Sequence, residues 1–386
     1  MYRTDRLVMT PGPTDIPHRV RMAMARETTN PDLDPSFLEL YNSVRAKLAR
    51  LLGTEPGSVY VLLGEAMLGL EASIANIVSP GDKVVVAANG VFGEGFKDLV
   101  EMYGGVPVVV ESDWRRSFDL SELDRALEKN KDARAVTLVH CDTPSAILND
   151  LYGAAKTVES YGAVLIVDAV SSIGGVEVKV GGRGVDFLIG GSQKVLNLPS
   201  GLTIVALSRK AWDAIEERRY KGFYLNLRLW REMLDGEGVF PYTMSDPLIY
   251  ALNESLDMIF EEGEEVAYSR HRAARRASWS AVEALGLEPY PLTIEDSSPT
   301  VTAINVPRGV DEARLREAMW RKHGVMIAGS WGRLEGKVIR VGHMGIQASK
   351  TRLVATYASL AEALREQGYP ASVGKVVEAV DANYKP

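Results

Sequence analysis

Short apolar runs rich in β-branched residues alternate along the chain with longer stretches whose apolar positions recur at helical spacing. Residues 59–63, 83–87, 106–110, 135–139, 164–167 and 186–189 are runs of the first kind, most of them with Gly or Asp at one end. Such near-continuous apolar runs read as strands buried on both faces of a sheet. Ahead of them, Phe37, Leu40, Tyr41, Val44, Leu48 and Leu51 predict a helix over 35–52 that Gly53 stops, and a second helix is expected over 119–129, between the third and fourth runs. Strand, helix, strand in repeated order predicts a doubly wound α/β domain. Regularity fades between Trp212 and Asp246, where Gly222, Gly236, Gly238 and Pro241 mark a loop-rich excursion, and a long helical pattern then runs from Pro247 to Leu285. A strand over 300–306, a helix over 311–323, a strand near 338–341 and a last helix from Lys350 predict a smaller α+β unit. The expected division is an N-terminal arm, 1–20, opened by the Pro- and Gly-rich residues 9–14, then a large domain, 21–260, and a small domain, 261–386.

Candidate chemistry gathers where the apolar runs stop. The run 164–167 ends on Asp168, and the run 186–189 leads through Gly190, Gly191, Ser192 and Gln193 to Lys194. Ligands of α/β sheets collect outside the carboxyl ends of the strands. One anion and one amine there suit a pyridine cofactor held as a Schiff base, with the acid on its ring nitrogen. Taken singly, each has a plainer reading as a cap or a solvated turn residue. At the end of the first strand, Gly64-Glu65-Ala66-Met67 opens a helix whose amino end attracts phosphate. Arg340 sits inside an apolar run, where a guanidinium needs an anionic partner. A protein carboxylate or a substrate carboxylate answers that need, and the planar fork suits a bidentate grip on the latter.

The segment Asp168-Ala-Val-Ser-Ser-Ile-Gly-Gly, followed by Gly191-Ser-Gln-Lys194, resembles class V pyridoxal-phosphate aminotransferases, within them the alanine/serine:glyoxylate (or pyruvate) branch. The resemblance covers nearly the whole chain. It implies a fold type I architecture, with a large domain built on a mainly parallel seven-stranded sheet between helices and a small C-terminal α+β domain. It implies pyridoxal 5′-phosphate bound to Lys194, with Asp168 on the ring nitrogen, Phe92 and Val170 on the ring faces and Thr143 nearby. The phosphate is then expected at the backbone of Ala66 and Met67, at Ser192 and Gln193, and at Thr243 reaching over from the second subunit of a homodimer. Gly12 and Arg340 are implied contacts to the substrate and its carboxylate. Three departures stand out. Gly64-Glu65-Ala66-Met67 replaces Ser-Gly-Ser-Gly-Thr, which leaves the role of Glu65 among the cofactor-binding residues open; Asp142 replaces a Glu and Ala146 a Gly; and Phe240 replaces the Tyr of a Tyr-x-x-Thr segment, with Tyr242 close by.

Composition narrows the alternatives. At 386 residues the chain can hold a large core and a smaller one, and 46% hydrophobic with 25% charged residues is ordinary for a globular protein. A net charge of −7 argues against nucleic acid as a partner. The basic cluster at 270–276 follows Glu261, Glu262, Glu264 and Glu265 and reads as an ion-paired helix. A single cysteine, Cys141, excludes an intrachain disulfide framework and fits a reducing cytoplasm. The five histidines are dispersed without metal-ligand spacing, so no metal is expected. No dinucleotide fingerprint or Walker loop is present, which disfavours a dehydrogenase, and no apolar run approaches the roughly 18 residues of a membrane span. Transamination of alanine or serine with glyoxylate or pyruvate is what the family resemblance implies. The rivals are ureidoglycine, phosphonate or phosphoserine transamination, cysteine desulfuration, and a non-catalytic cofactor-binding protein.

Overall fold

The structure, a computed structural model, describes residues 6–386. Seven strands form its central sheet: β1 (Val59–Leu63), β2 (Lys83–Ala88), β3 (Val106–Glu111), β4 (Ala135–Val139), β5 (Val164–Asp168), β6 (Phe187–Gly191) and β7 (Leu202–Leu207). Their spatial order is β1-β7-β6-β5-β4-β2-β3. Only β7 runs against its neighbours, and the remaining pairs are parallel. This strand is the one that pattern alone did not separate out, because its apolar residues follow directly on the turn of Lys194. Every residue of β4 through β7 is buried, as expected of strands covered on both faces.

The helix Pro35–Leu52 starts where Asp34 accepts the Ser36 backbone N–H and stops where Gly53 takes a left-handed conformation at φ 62°. The excursion after Trp212 holds more helix than its glycines suggest: Arg209–Arg218 is helical, and Trp230–Glu237 forms a wide π-type turn. Its order comes from aromatic packing. Trp230 is buried against Tyr41, Tyr60, Phe240 and Tyr242. The long helical pattern after Pro247 is two helices, Asp246–Glu262 and Glu264–Ala284, broken at Gly263 with φ 92°. No helix among the described residues is long and apolar enough to cross a membrane.

A second apolar cluster surrounds β8 (Val301–Asn305) and β9 (Val338–Gly342), which pair antiparallel, and takes in Ala277, Ala281, Met319, Tyr357, Leu360 and Val380. The N-terminal arm belongs to it. Leu7–Val8 pairs in parallel with Val325–Met326, buried Met9 joins the cluster, and the Met9 carbonyl accepts the Gly342 N–H at 2.7 Å. Anchored there, the chain passes over the carboxyl ends of the large sheet before it enters its first helix.

Candidate active site

Asp168 closes β5 with its side chain buried, and its Oδ1 accepts the Val170 N–H at 2.9 Å. Burial pushes this carboxyl up to about 7, against the opposing pull of the Lys194 charge. Lys194 follows β6 through a turn held by Ser192, whose hydroxyl donates to the Pro199 carbonyl at 2.7 Å and accepts from the Leu202 N–H at 3.1 Å. Burial, and secondarily the Arg340 charge, bring the Lys194 amine down to about 8. Its Nζ donates to the Pro11 carbonyl at 2.8 Å, and Thr14 Oγ1 donates to the Lys194 carbonyl at 2.9 Å. Gly12 crosses directly above the amine at φ 111°, where an added Cβ would stand 2.5 Å from Nζ. Only glycine fits a backbone that is both left-handed and this close.

The two groups share one cavity of about 360 Å³, which Gly12, Glu65, Ala66, Met67, Phe92, Thr143, Val170 and Gln193 also line. Ten of the thirteen residues singled out from sequence thus meet at one place, for a topological reason. Strands β1, β2, β4, β5 and β6 point the same way, so their carboxyl ends deliver Glu65, Phe92, Thr143, Asp168 and Lys194 to one edge of the sheet. Phe92 is set by buried Asp142, which accepts the Phe92 N–H at 3.0 Å and the Ser145 hydroxyl at 2.7 Å. Thr143 pairs with the hydroxyl of Ser171.

Three expected residues lie elsewhere. Ser192 is wholly buried in the turn, where its hydroxyl is used in holding the loop, and it does not line the cavity. Thr243 donates to Asp32 Oδ2 at 2.8 Å, away from this chain's cavity. Arg340 lines an adjoining cavity of about 970 Å³ that shares Gly12, Pro13 and Trp331 with the first. Its Nε donates to the Gly329 carbonyl at 2.6 Å, and its guanidinium lies 5.0 Å from the Trp331 ring centre. Burial brings the guanidinium down to about 10, and no carboxylate among the described residues forms an ion pair with it. Its neighbour Arg316 is already paired with Glu312.

The backbone donor of Met67, expected to face a phosphate, instead donates to Glu65 Oε2 at 2.9 Å, while Glu65 Oε1 accepts from the Gln193 side-chain amide. Phe240 belongs to the aromatic cluster, edge-on to Phe37 and Tyr41, which accounts for the missing hydroxyl; Tyr242 stacks on Tyr224 at 4.3 Å. His140 is buried with Nδ1 at 2.9 Å from the Ser172 hydroxyl and is pushed down to about 4, so it is neutral. The residue that sequence reasoning missed is Trp331. It joins the two cavities and meets Phe92 edge-on at 5.9 Å, and its signal was a lone Trp between Ser330 and Gly332 in a loop preceding the Arg340 strand.

The family model described as Aminotransferase class-V matches residues 9–337. A pyridoxamine–pyruvate transaminase of Mesorhizobium japonicum is 33% identical to this chain, over 97% of the chain and 95% of its own length. A serine–glyoxylate aminotransferase of Methylorubrum extorquens is 32% identical, over 97% and 95%. The crystal structure of ureidoglycine–glyoxylate aminotransferase from Bacillus subtilis superimposes with a TM-score of 0.95 at 29% identity, covering 100% of both chains.

Proposed function

We propose, for a chain that belongs to the class-V aminotransferase family and so exchanges amino groups between an amino acid and a 2-oxo acid, that the donor is alanine or serine and the acceptor glyoxylate or pyruvate. One observation carries this reading: a buried amine and a buried carboxyl line one cavity, and an arginine without a carboxylate partner lines the next, which shares Gly12, Pro13 and Trp331 with the first. Membership of the family implies pyridoxal phosphate as cofactor. The ring end of the cavity fits it. Asp168 and Lys194 are each strained toward neutrality by burial, and a cationic ring nitrogen beside Asp168 would restore its charge. Lys194 would hold the group as a Schiff base, Val170 and Phe92 would flank the ring and Thr143 would stand beside it. Bound there, the group supplies an electron-withdrawing ring that takes up the electron pair left when a substrate Cα loses its proton.

The chain's own residues then do three things. Lys194, its amine brought down to about 8, moves the proton to and from Cα near neutral pH. Asp168 keeps the ring nitrogen protonated. Arg340 and the backbone at Gly12 orient the substrate by its carboxylate, and Trp331 with Phe92 keeps water from the reacting face. The division into arm (1–20), large domain (21–260) and small domain (261–386) suits this arrangement, with the site where arm, β9 and the large sheet approach one another. A cytoplasmic homodimer, in which the Thr243 segment completes the second subunit's site, is part of the same reading. Serine and glyoxylate added to the purified enzyme are expected to shift the cofactor's absorption and release glycine. Spectra unchanged by every small amino acid would refute the assignment.

A further inference from the structure

We propose that Glu65 makes this site select the phosphate-free form of the ring, pyridoxamine or pyridoxal with its 5′-hydroxymethyl group, over the 5′-phosphate. The inference rests on the reading that a pyridine ring lies between Asp168 and Lys194, and it concerns the wall formed by Glu65, Met67 and Gln193. That wall includes the amino end of the helix Met67–Ile77, the natural seat of an anion. The seat already holds one. Glu65 Oε2 accepts the Met67 N–H at 2.9 Å, so the chain's own carboxylate sits on a donor that a phosphate would use.

The neighbouring side chain points to the same conclusion. Glu65 Oε1 accepts from the Gln193 amide, and a carboxylate can only accept, so the amide must present its nitrogen to Glu65. Gln193 Oε1 is left as an acceptor with no hydrogen-bond partner in a residue only 5% exposed. A buried unpartnered acceptor is costly and calls for a donor. A phosphate dianion has none to offer, and it would bring like charge against Glu65. A hydroxymethyl group offers one O–H and can also accept. Among the described residues lining the cavity the one cation is Lys194, whose Nζ is turned to the Pro11 carbonyl.

The test uses the full-length protein, dialysed free of bound vitamer, titrated by calorimetry with pyridoxamine and with pyridoxamine 5′-phosphate. Neither amine forms a covalent bond to Lys194, so the ratio of dissociation constants reports recognition alone. The wild type is expected to favour pyridoxamine at least ~10-fold, the scale on which like-charge juxtaposition is felt. Glu65→Gln, which keeps an acceptor for Met67, should narrow that ratio about 10-fold, and Glu65→Ser should also narrow it. Thermal melts of both variants show that the helix start survives. A wild type that prefers the phosphate ester, with a ratio unmoved by Glu65→Gln, overturns the inference and leaves the reading of the site intact. A folded protein that binds neither amine overturns both.

Discussion

Replacing Arg340 with Met separates a substrate-binding role from a structural one. The side chain is 3% exposed, and its Nε donates to the Gly329 carbonyl with no carboxylate among the described residues paired to the guanidinium, so the other face of the fork is available to an incoming carboxylate. Hydrogen bonds to a charged group are worth about 2 to 3 kcal/mol each in a buried setting. Losing one such contribution lowers kcat/KM by roughly 30- to 150-fold at 1.4 kcal/mol per decade. Stability should move little. The variant gives up the Gly329 bond and the contact with Trp331, together about 2 kcal/mol, but it also removes a buried charge without a carboxylate partner, an opposing effect of the same order. The Arg340 charge is also the second cause of the lowered Lys194 pKa, after burial, so the acidic limb of the pH–rate profile, which marks loss of the Lys194 proton, should move to higher pH in the variant. Steady-state assays against a carboxylate-bearing amino acid and its decarboxylated amine decide the matter. Arg340→Met should erase the preference for the carboxylate. An unchanged preference, with a fall in melting temperature instead, would refute the assignment of this arginine to substrate.

Further outcomes follow from the same geometry. Asp168→Asn should lower turnover about 100-fold or more, the scale of losing a preorganised charge at the reacting centre. In the ligand-free protein it should also flatten the pH dependence of stability: the folded carboxyl titrates near 7 and the unfolded one near 3.8, so the wild type binds the extra proton when folded and loses stability as pH rises between those values. Thermal melts across that window check the sign, and a wild type that gains stability from this group on raising the pH would contradict it. Gly12→Ala should cost about 1 to 2 kcal/mol through its left-handed backbone and displace Lys194, seen as lost activity with a modest fall in melting temperature. Cys141 is buried, donates to the Ser298 hydroxyl at 2.9 Å, and has its thiol pushed up to about 12. Alkylating reagents should therefore leave it unmodified until the chain unfolds.

Most of the strand order along the chain could be read from the apolar runs, because a strand buried on both faces must be apolar throughout. Strand β7 could not, since its sequence continues a loop and only its antiparallel place between β1 and β6 defines it. The helix break at Gly263 was likewise hidden in a pattern that stays amphipathic on both sides. In the site, Asp168 and Lys194 were legible because each ends a buried run and together they make one chemistry. Trp331 was not, because an exposed aromatic in a loop carries no periodic signal.

The amino-acid order by itself determined where most of the strands lie and which titratable groups stand at their ends, because these depend on local pattern and on the cost of burying charge; it did not determine burial throughout, since the apolar run of β3 lies at the edge of the sheet with Val106 and Val109 exposed. Tertiary structure alone decided which of those ends meet. It laid the arm over Lys194 by anchoring Met9 in the second core, and it stood Arg340 behind Trp331. It also turned Glu65 onto the helix start that its own chain exposes. Contacts between residues far apart in sequence depend on how separately formed layers pack, and no local period encodes that.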